Sequence, residues 1–232
     1  MEVQDLGAGV NRSFTGTLGR VIVGVIFDCD GVLVDTEPVS NRVLAALLTE
    51  AGLETTLEDC LALYRGRAMR SVLADAARRL GRPLAFDVAE RYYAEVEAIF
   101  RVELEPVPGI VDALERIDLP CCVASSGPHH KMEVTLRSTG LWDRFEGRIF
   151  SATEVAHGKP APDLFLYAAE RMGFDPATTA VVEDSIAGVE AAVAAGMRAL
   201  AFAADTGPAE LAAAGGEPFT DMAELPGLLA GC

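Results

Sequence analysis

Positive charge is scarce in this chain of 232 residues, because 19 lysines and arginines are set against 35 aspartates and glutamates. The formal net charge of −16 argues against nucleic acids and anionic membranes as partners, since both bind basic surfaces. An acidic protein that handles an anion has to build a local positive site. The composition therefore predicts no nucleic-acid partner and no membrane partner.

Cysteine pairs and long apolar runs are missing as well. The five cysteines include no CxxC pair, and an odd number is a poor disulfide framework, so we expect a cytoplasmic protein. No apolar run approaches the roughly 18 residues that span a bilayer. Residues 1–19 contain no continuous apolar core, and we interpret them as a loosely attached extension, not as a secretory signal. The expected assembly is a monomer or a weak homodimer.

Short apolar, β-branched segments alternate with longer helical patterns over most of the chain. The predicted strands are 21–27, 121–125, 148–151, 179–183 and 198–203. The predicted helices between and after them are about 128–139, 162–172, 186–195, 208–214 and 221–229. This alternation predicts a Rossmann-like α/β fold, in which helices cover a parallel sheet on both faces.

The stretch from 38 to about 104 breaks this alternation. No segment in it resembles a buried strand, and its predicted amphipathic helices are 38–51, 56–64, 68–80 and 86–102. We interpret it as a helical module inserted after the first strand. The predicted domains are an extension at 1–19, an α/β core formed by 20–35 and 107–232, and the helical module at 36–106.

Carboxylates follow the first predicted strand. Asp28 and Asp30 come directly after the apolar run that ends at Phe27, and an extended backbone would point both side chains the same way. Repulsion between carboxylates this close is unfavourable unless a cation binds or protons are shared. Because ligands of parallel α/β sheets bind at the carboxyl ends of the strands, this pair predicts a functional site.

Three other segments place polar side chains at the same edge. Ser125-Ser126-Gly127 ends the second strand before a helix, where hydroxyl and N–H groups suit a phosphate. Glu183-Asp184 ends the fourth strand, and Lys159 lies in the loop HGKPAPD. Taken alone, each segment is also typical of a helix cap or a solvated side chain. Together they predict a Mg²⁺-assisted phosphoryl-transfer site in which a carboxylate attacks phosphorus.

Four sequence motifs carry a resemblance to a known family. DCDGVLVDTEP, ASSG, GKPAPD and VVEDSIAG occur in this order within residues 21–205, and the chain resembles the haloacid dehalogenase superfamily of phosphohydrolases. Within it, the chain is similar to the β-phosphoglucomutase-like phosphatases, and in particular to the bacterial phosphogluconate phosphatases. The resemblance implies that the module at 36–106 is a small mobile cap. The implied substrate is a small phosphorylated metabolite, of the sugar phosphate or phosphogluconate type.

The resemblance also implies roles for individual residues. Asp28 would be the nucleophile that forms an aspartyl-phosphate, Asp30 the general acid and base, and Lys159 a charge that offsets the phosphoryl group. The phosphoryl group would be bound by Ser125, Ser126 and Gly127. The Mg²⁺ ligands would be Asp28, Asp30 through its carbonyl oxygen, and Asp184. Glu183 would either coordinate the ion directly or contact one of its ligands.

Other residues near these motifs leave alternatives open. Arg65, in a turn of the helical module, is a candidate for binding an anionic substrate from the cap. His129, His130 and Lys131 follow the second motif and are candidates for substrate contact. Two adjacent histidines point to different sides of a helix, so a shared metal site is not expected there, and a solvated first turn is the simpler interpretation of the pair.

Two positions separate the candidate functions. As the resemblance implies, a phosphosugar mutase has a histidine where this chain has Ser40 and an arginine where it has Met69. We therefore expect a phosphatase. The alternative is a phosphosugar mutase of the β-phosphoglucomutase type, and a non-catalytic binding protein on the same fold is a third interpretation.

Overall fold

A parallel six-stranded sheet forms the centre of the computed structural model, which describes residues 21–64 and 69–231. The strands are β1 (Gly24–Phe27), β2 (Cys121–Ser125), β3 (Ile149–Ser151), β4 (Thr179–Glu183), β5 (Arg198–Phe202) and β6 (Glu217–Phe219). Their order is β3-β2-β1-β4-β5-β6, and every neighbouring pair is parallel. The predicted Rossmann-like α/β class is therefore confirmed.

Helices connect the strands and also form a separate run after β1. They are α1 (Glu37–Glu50), α2 (Leu57–Leu63), α3 (Met69–Leu80), α4 (Val88–Glu103), α5 (Ile110–Glu115), α6 (His129–Ser138), α7 (Trp142–Phe145), α8 (Asp163–Met172), α9 (Ile186–Ala194), α10 (Pro208–Ala213) and α11 (Leu225–Ala230). The run α1–α4 corresponds to the predicted module, whose status as a separate domain stays a prediction. No helix within the described ranges has the length and apolar character needed to cross a membrane.

The two faces of β1 belong to different apolar clusters, because side chains alternate along a strand. Val25 and Phe27 are fully buried in a cluster that includes residues of α1, α5 and α6. Ile26 is buried among residues of α8 and α9 on the opposite face. Burial on both faces explains why the strand is apolar throughout, and it leaves the strand end as the place for polar chemistry.

The two connections that join the run α1–α4 to the sheet pair with each other. Val34 and Pro106 form an antiparallel bridge. The amide of Asp35 donates to the carbonyl of Glu105 at 3.0 Å. The two ends of the helical run are thus held side by side.

The sequence-based prediction misses three short elements and begins the first strand too early. Elements β6, α5 and α7 contain three, six and four residues, which is too short for a recognisable periodicity. The predicted strand 21–27 begins at Gly24. The predicted helix 221–229 is a 3₁₀ turn at Met222–Glu224 followed by α11.

Candidate active site

The carboxyl edge of the sheet gathers the residues that the motifs single out. Strand β1 lies between β2 and β4, which end in the buried polar residues Ser125 and Glu183. Asp28 follows β1 and is itself buried, and its amide donates to the carbonyl of Val182 at 2.9 Å. The strand order therefore brings the first, second and fourth motifs to one place.

Lys159 links two carboxylates at this edge. Its ammonium group lies 2.6 Å from Asp28 Oδ1 and 2.5 Å from Glu183 Oε1, and its side chain is 6% exposed. Burial alone would lower the pKa of Lys159, but Asp28 and Glu183 raise it above its ordinary value. Burial is the main reason that the pKa of Asp28 rises to about 7; Lys159 opposes the rise, and repulsion from Glu183 and Asp30 adds to it. Burial and like charge together thus outweigh the effect of the lysine on Asp28.

Both carboxylate oxygens of Glu183 have protein partners. Lys159 donates to Oε1, whereas the amide and the hydroxyl of Ser185 each donate to Oε2 at 2.8 Å. The Ser185 hydroxyl also caps α9 by accepting from the amide of Gly188 at 3.0 Å. A Cβ on Gly188 would lie 1.8 Å from Glu183 Oε1, so glycine leaves the space that this carboxylate fills. These contacts favour an orienting role for Glu183 over direct metal coordination.

Asp28, Glu183 and Asp184 form a cluster that suits a divalent cation. One oxygen of each lies within 4.8 Å of the others. Burial, followed by repulsion from Glu183 and Asp28, raises the pKa of Asp184 well above its ordinary value, and a bound cation would relieve that repulsion. A Cβ on Gly31 would lie 2.3 Å from Asp184 Oδ2, so the loop after β1 is shaped around this carboxylate. Carboxylate oxygens match the preference of Mg²⁺, so Asp28 and Asp184, with Glu183 beside them, fit the predicted ion.

Asp30 pairs with a different lysine. The ammonium group of Lys131 lies 2.6 Å from Asp30 Oδ2. Burial alone would lower the pKa of Lys131, but Asp30 raises it above its ordinary value. The other oxygen, Oδ1, is buried and has no hydrogen-bond partner among the residues that the structure describes. One open oxygen of this kind suits proton exchange with a bound molecule.

The second motif forms a turn at the start of α6. The Ser125 hydroxyl accepts from the amide of Gly127 at 3.2 Å, and the hydroxyl of Ser151 donates to the carbonyl of Gly127 at 2.8 Å. Ser125 is buried and Ser126 is exposed. The turn is thus fixed by β2 and β3, and it ends the strand next to β1, where a phosphate was predicted to bind.

The remaining candidates have different outcomes. Arg65 lies outside the described residues, so its contact with substrate stays a prediction. His129 faces Glu154, with Nε2 2.9 Å from Oε2. Lys131, which the sequence analysis names with the two histidines as a candidate for substrate contact, contacts Asp30. Composition was a further signal for a role of Lys131, since the sequence has one other lysine, which is Lys159.

A cavity of about 480 Å³ opens beside the pair of Lys131 and Asp30. It lies between α1, α4 and α6, and its wall includes Ser40, Tyr92, Tyr93, Phe100, His130 and Lys131. Tyrosine offers an apolar ring with a polar end, which suits a small polar ligand. Lys131 thus connects the cavity wall with Asp30, the predicted acid–base residue.

Comparison with known proteins decides the family. Residues 22–196, most of the chain, match the family of haloacid dehalogenase-like hydrolases. The chain belongs to this family. The predicted family and the predicted hydrolase class are thereby confirmed.

Relatives and solved structures match the chain over most of its length. The 6-phosphogluconate phosphatase of Escherichia coli K12 is 32% identical over 208 residues, which cover 89% of this chain and 94% of the relative. A haloacid dehalogenase-like protein of unknown function from Agrobacterium tumefaciens has a TM-score of 0.82 at 32% identity, covering 90% of this chain and 98% of its own. A candidate β-phosphoglucomutase from Thermotoga maritima has a TM-score of 0.76 at 28% identity, covering 90% and 98%.

Proposed function

We propose that this chain is a Mg²⁺-dependent phosphatase that hydrolyses monophosphate esters of small sugars or sugar acids through an aspartyl-phosphate on Asp28. The observation that carries the proposal is the position of Asp28 at the sheet edge, paired with Lys159 and clustered with Asp184. The enzyme class, a phosphoric monoester hydrolase, is confirmed by the family and by the relative that is a 6-phosphogluconate phosphatase. The Mg²⁺ ion, the aspartyl-phosphate on Asp28 and the sugar or sugar-acid substrate are what we propose in addition.

In the first step, an oxygen of Asp28 attacks the phosphorus of the ester. The bond between phosphorus and the leaving oxygen breaks as the bond to Asp28 forms, and Asp30 gives its proton to the leaving oxygen, so an alcohol departs. Lys159 offsets the negative charge on Asp28 and on the phosphoryl oxygens. The turn at 125–127 supplies hydroxyl and amide groups to those oxygens.

In the second step, water hydrolyses the aspartyl-phosphate. The carboxylate of Asp30 takes a proton from the water molecule whose oxygen attacks phosphorus. The bond between phosphorus and Asp28 breaks, which restores the Asp28 carboxylate and releases inorganic phosphate. Asp30 is protonated again and can serve the next ester.

Asp28 and Asp184 would hold Mg²⁺, together with the carbonyl oxygen of Asp30 that the family resemblance implies. Bound there, the ion would supply positive charge to the carboxylates and the phosphoryl oxygens. Glu183 would act through Lys159, whose ammonium group it orients. Asp28 and Asp184 would thus contact the ion, whereas Glu183 would act on the lysine.

A phosphosugar mutase is the second candidate, because it would use the same aspartyl-phosphate. Ser40 lies in α1 on the cavity wall, and Met69 is the first residue of α3. Serine does not titrate near neutral pH and methionine does not pair with phosphate, so neither replaces the mutase residues. Hydrolysis needs neither group, and the phosphatase is therefore favoured. A binding protein would have no need for the complete set of catalytic residues.

The test is release of inorganic phosphate from a panel of sugar phosphates and phosphorylated sugar acids, with and without Mg²⁺. We expect Mg²⁺-dependent turnover and a loss of at least about 10³-fold in Asp28→Asn, which keeps the size of the side chain but not its attacking charge. Asp35→Asn is the matched control, because Asp35 belongs to the same motif but not to the carboxylate cluster. Substantial activity in Asp28→Asn, or turnover indifferent to Mg²⁺, would refute the proposal.

A further inference from the structure

Lysine is rare in this chain. Of its 19 basic residues, Lys131 and Lys159 are lysines and the rest are arginines. Each ammonium group lies 2.6 Å from one aspartate of the first motif, Lys159 from Asp28 and Lys131 from Asp30. Lysine is a compact point charge, whereas arginine is a planar fork, and the two are not interchangeable. At both positions, therefore, a compact cation contacts a predicted catalytic aspartate.

Helix stability gives no reason for a lysine at position 131. Lys131 is the third residue of α6, and the first turn of a helix favours negative side chains over positive ones. The side chain of Lys131 lies against the turn at 125–127 that precedes the helix, because a Cβ added to Gly127 would lie 3.4 Å from Lys131 Cδ. The ammonium group thereby reaches Asp30, which is 101 residues away in the sequence. The contact with Asp30 accounts for the lysine where the helix does not.

The ion pair fixes one oxygen of Asp30 and leaves the other open. Oδ2 accepts from Lys131, while Oδ1 is buried without a partner in the described part of the chain. Because the two oxygens of a carboxylate are rigidly joined, holding one sets the direction of the other. We propose that Lys131 is a positioning residue that holds Asp30 so that its open oxygen faces the leaving oxygen of the ester. The inference rests on the acid–base role proposed above for Asp30.

The effect of removing such a positioning residue on kcat/KM depends on the leaving group of the ester. A sugar alcohol leaves poorly unless Asp30 gives it a proton, whereas 4-nitrophenolate leaves without one. The ratio kcat/KM reports the steps up to the first irreversible one, which here is formation of the aspartyl-phosphate. Loss of the positioning residue should therefore harm hydrolysis of a sugar phosphate far more than hydrolysis of the aryl ester.

The experiment compares Lys131→Met with the wild type on a hydrolysed sugar phosphate and on 4-nitrophenyl phosphate. We expect kcat/KM to fall roughly 100-fold for the sugar phosphate and less than about tenfold for the aryl ester. Asp30→Asn should likewise lose more kcat/KM on the sugar phosphate than on the aryl ester. Adding Lys131→Met to Asp30→Asn should cause little further loss, because the two residues act as a unit. In Lys131→Arg the difference between the losses on the two esters should be smaller, since arginine keeps the charge but not the compact shape.

A matched control separates this contact from a general effect of charge. Arg137→Met removes a positive charge from the same helix, where Arg137 pairs with Glu133, and should leave both reactions unchanged. Equal losses on both esters in Lys131→Met would overturn the positioning role, as would a rise in KM with kcat unchanged, which indicates ground-state binding of substrate. A wild type that releases no phosphate from either ester would overturn the proposed function itself, which is a distinct result.

Discussion

The ammonium group of Lys159 lies within 2.6 Å of both Asp28 Oδ1 and Glu183 Oε1, although the three residues come from separate segments of the chain. All three side chains are nearly inaccessible to solvent. Removing one partner of a buried ion pair leaves an uncompensated charge, which typically costs about 3–5 kcal/mol. The position of Asp28, the proposed nucleophile, therefore depends on Glu183 as well as on Lys159.

Gly188→Ala tests that dependence without replacing a charged residue. The new Cβ would fall 1.8 Å from Glu183 Oε1, so the carboxylate has to leave its place beside Lys159. We expect the free energy of unfolding to drop by about 1–3 kcal/mol and phosphate release to fall by roughly tenfold or more. Urea denaturation and phosphate-release assays measure the two effects.

Gly227→Ala is the matched control for this substitution. Among the residues that the structure describes, no atom beyond its chain neighbours and its own helix lies within 4 Å of the Cβ that it would add; because Gly227 lies in α11, we expect unchanged or slightly higher stability. Native stability together with native activity in Gly188→Ala would contradict the dependence of Lys159 on Glu183.

Asp184→Ala should weaken Mg²⁺ binding more than folding. The substitution removes one oxygen ligand from a cluster that includes Asp28, so the Mg²⁺ concentration for half-maximal activity should rise more than about tenfold. Titration calorimetry measures the binding directly, and Glu190→Ala, which removes an exposed carboxylate from α9, is the control. A Mg²⁺ titration equal to that of the wild type would show that the ligand set is wrong.

We also expect Ca²⁺ to inhibit phosphate release, because its larger and looser coordination shell disturbs the attack geometry.

The helical run α1–α4 should open and close over the site, with hinges near residues 36–38 and 105–108. Closure would exclude bulk water during phosphoryl transfer. We expect the amides of both connections to exchange hydrogen faster than those of β1 and β4, and to slow when Mg²⁺ and vanadate are added. Mass spectrometry of exchanged peptides measures this. Connections as protected as the sheet under both conditions would refute the cap motion.

Hydrolysis should prevail over isomerisation. With Ser40 and Met69 at the two mutase positions, incubation with β-glucose 1-phosphate and a trace of the bisphosphate should yield free phosphate and little glucose 6-phosphate. Coupled assays of both products measure the ratio. Efficient isomerisation without release of phosphate would overturn the choice of phosphatase over mutase.

The sequence predicts the central part of the site because chemistry and topology restrict it in the same way. Asp28, Lys159 and Glu183 are of the types that phosphoryl transfer needs, and parallel strands end at one edge, so their proximity follows from their motifs. The contact between Lys131 and Asp30 could not be predicted in this way. It depends on how α6 packs against the sheet and on the path of a flexible side chain.

Short elements escaped prediction for a different reason. The outer strand β6 has three residues and includes Pro218, which cannot donate to a ladder and weakens the strand signal. Helix α5 has six residues and begins after Gly109, which adopts a positive φ of 82°. Such elements are held by tertiary contacts and not by local propensity, so a local pattern does not reveal them.

The scarcity of lysine has a practical consequence for chemical labelling. An amine-directed reagent has two side-chain targets in this sequence, and they differ in accessibility, since Lys131 is 35% exposed and Lys159 is 6% exposed. Acylation should therefore modify Lys131 well before Lys159. A compound that fills the cavity between α1, α4 and α6 should shield Lys131, so the extent of its acylation would serve as a reporter of occupancy at this face of the protein.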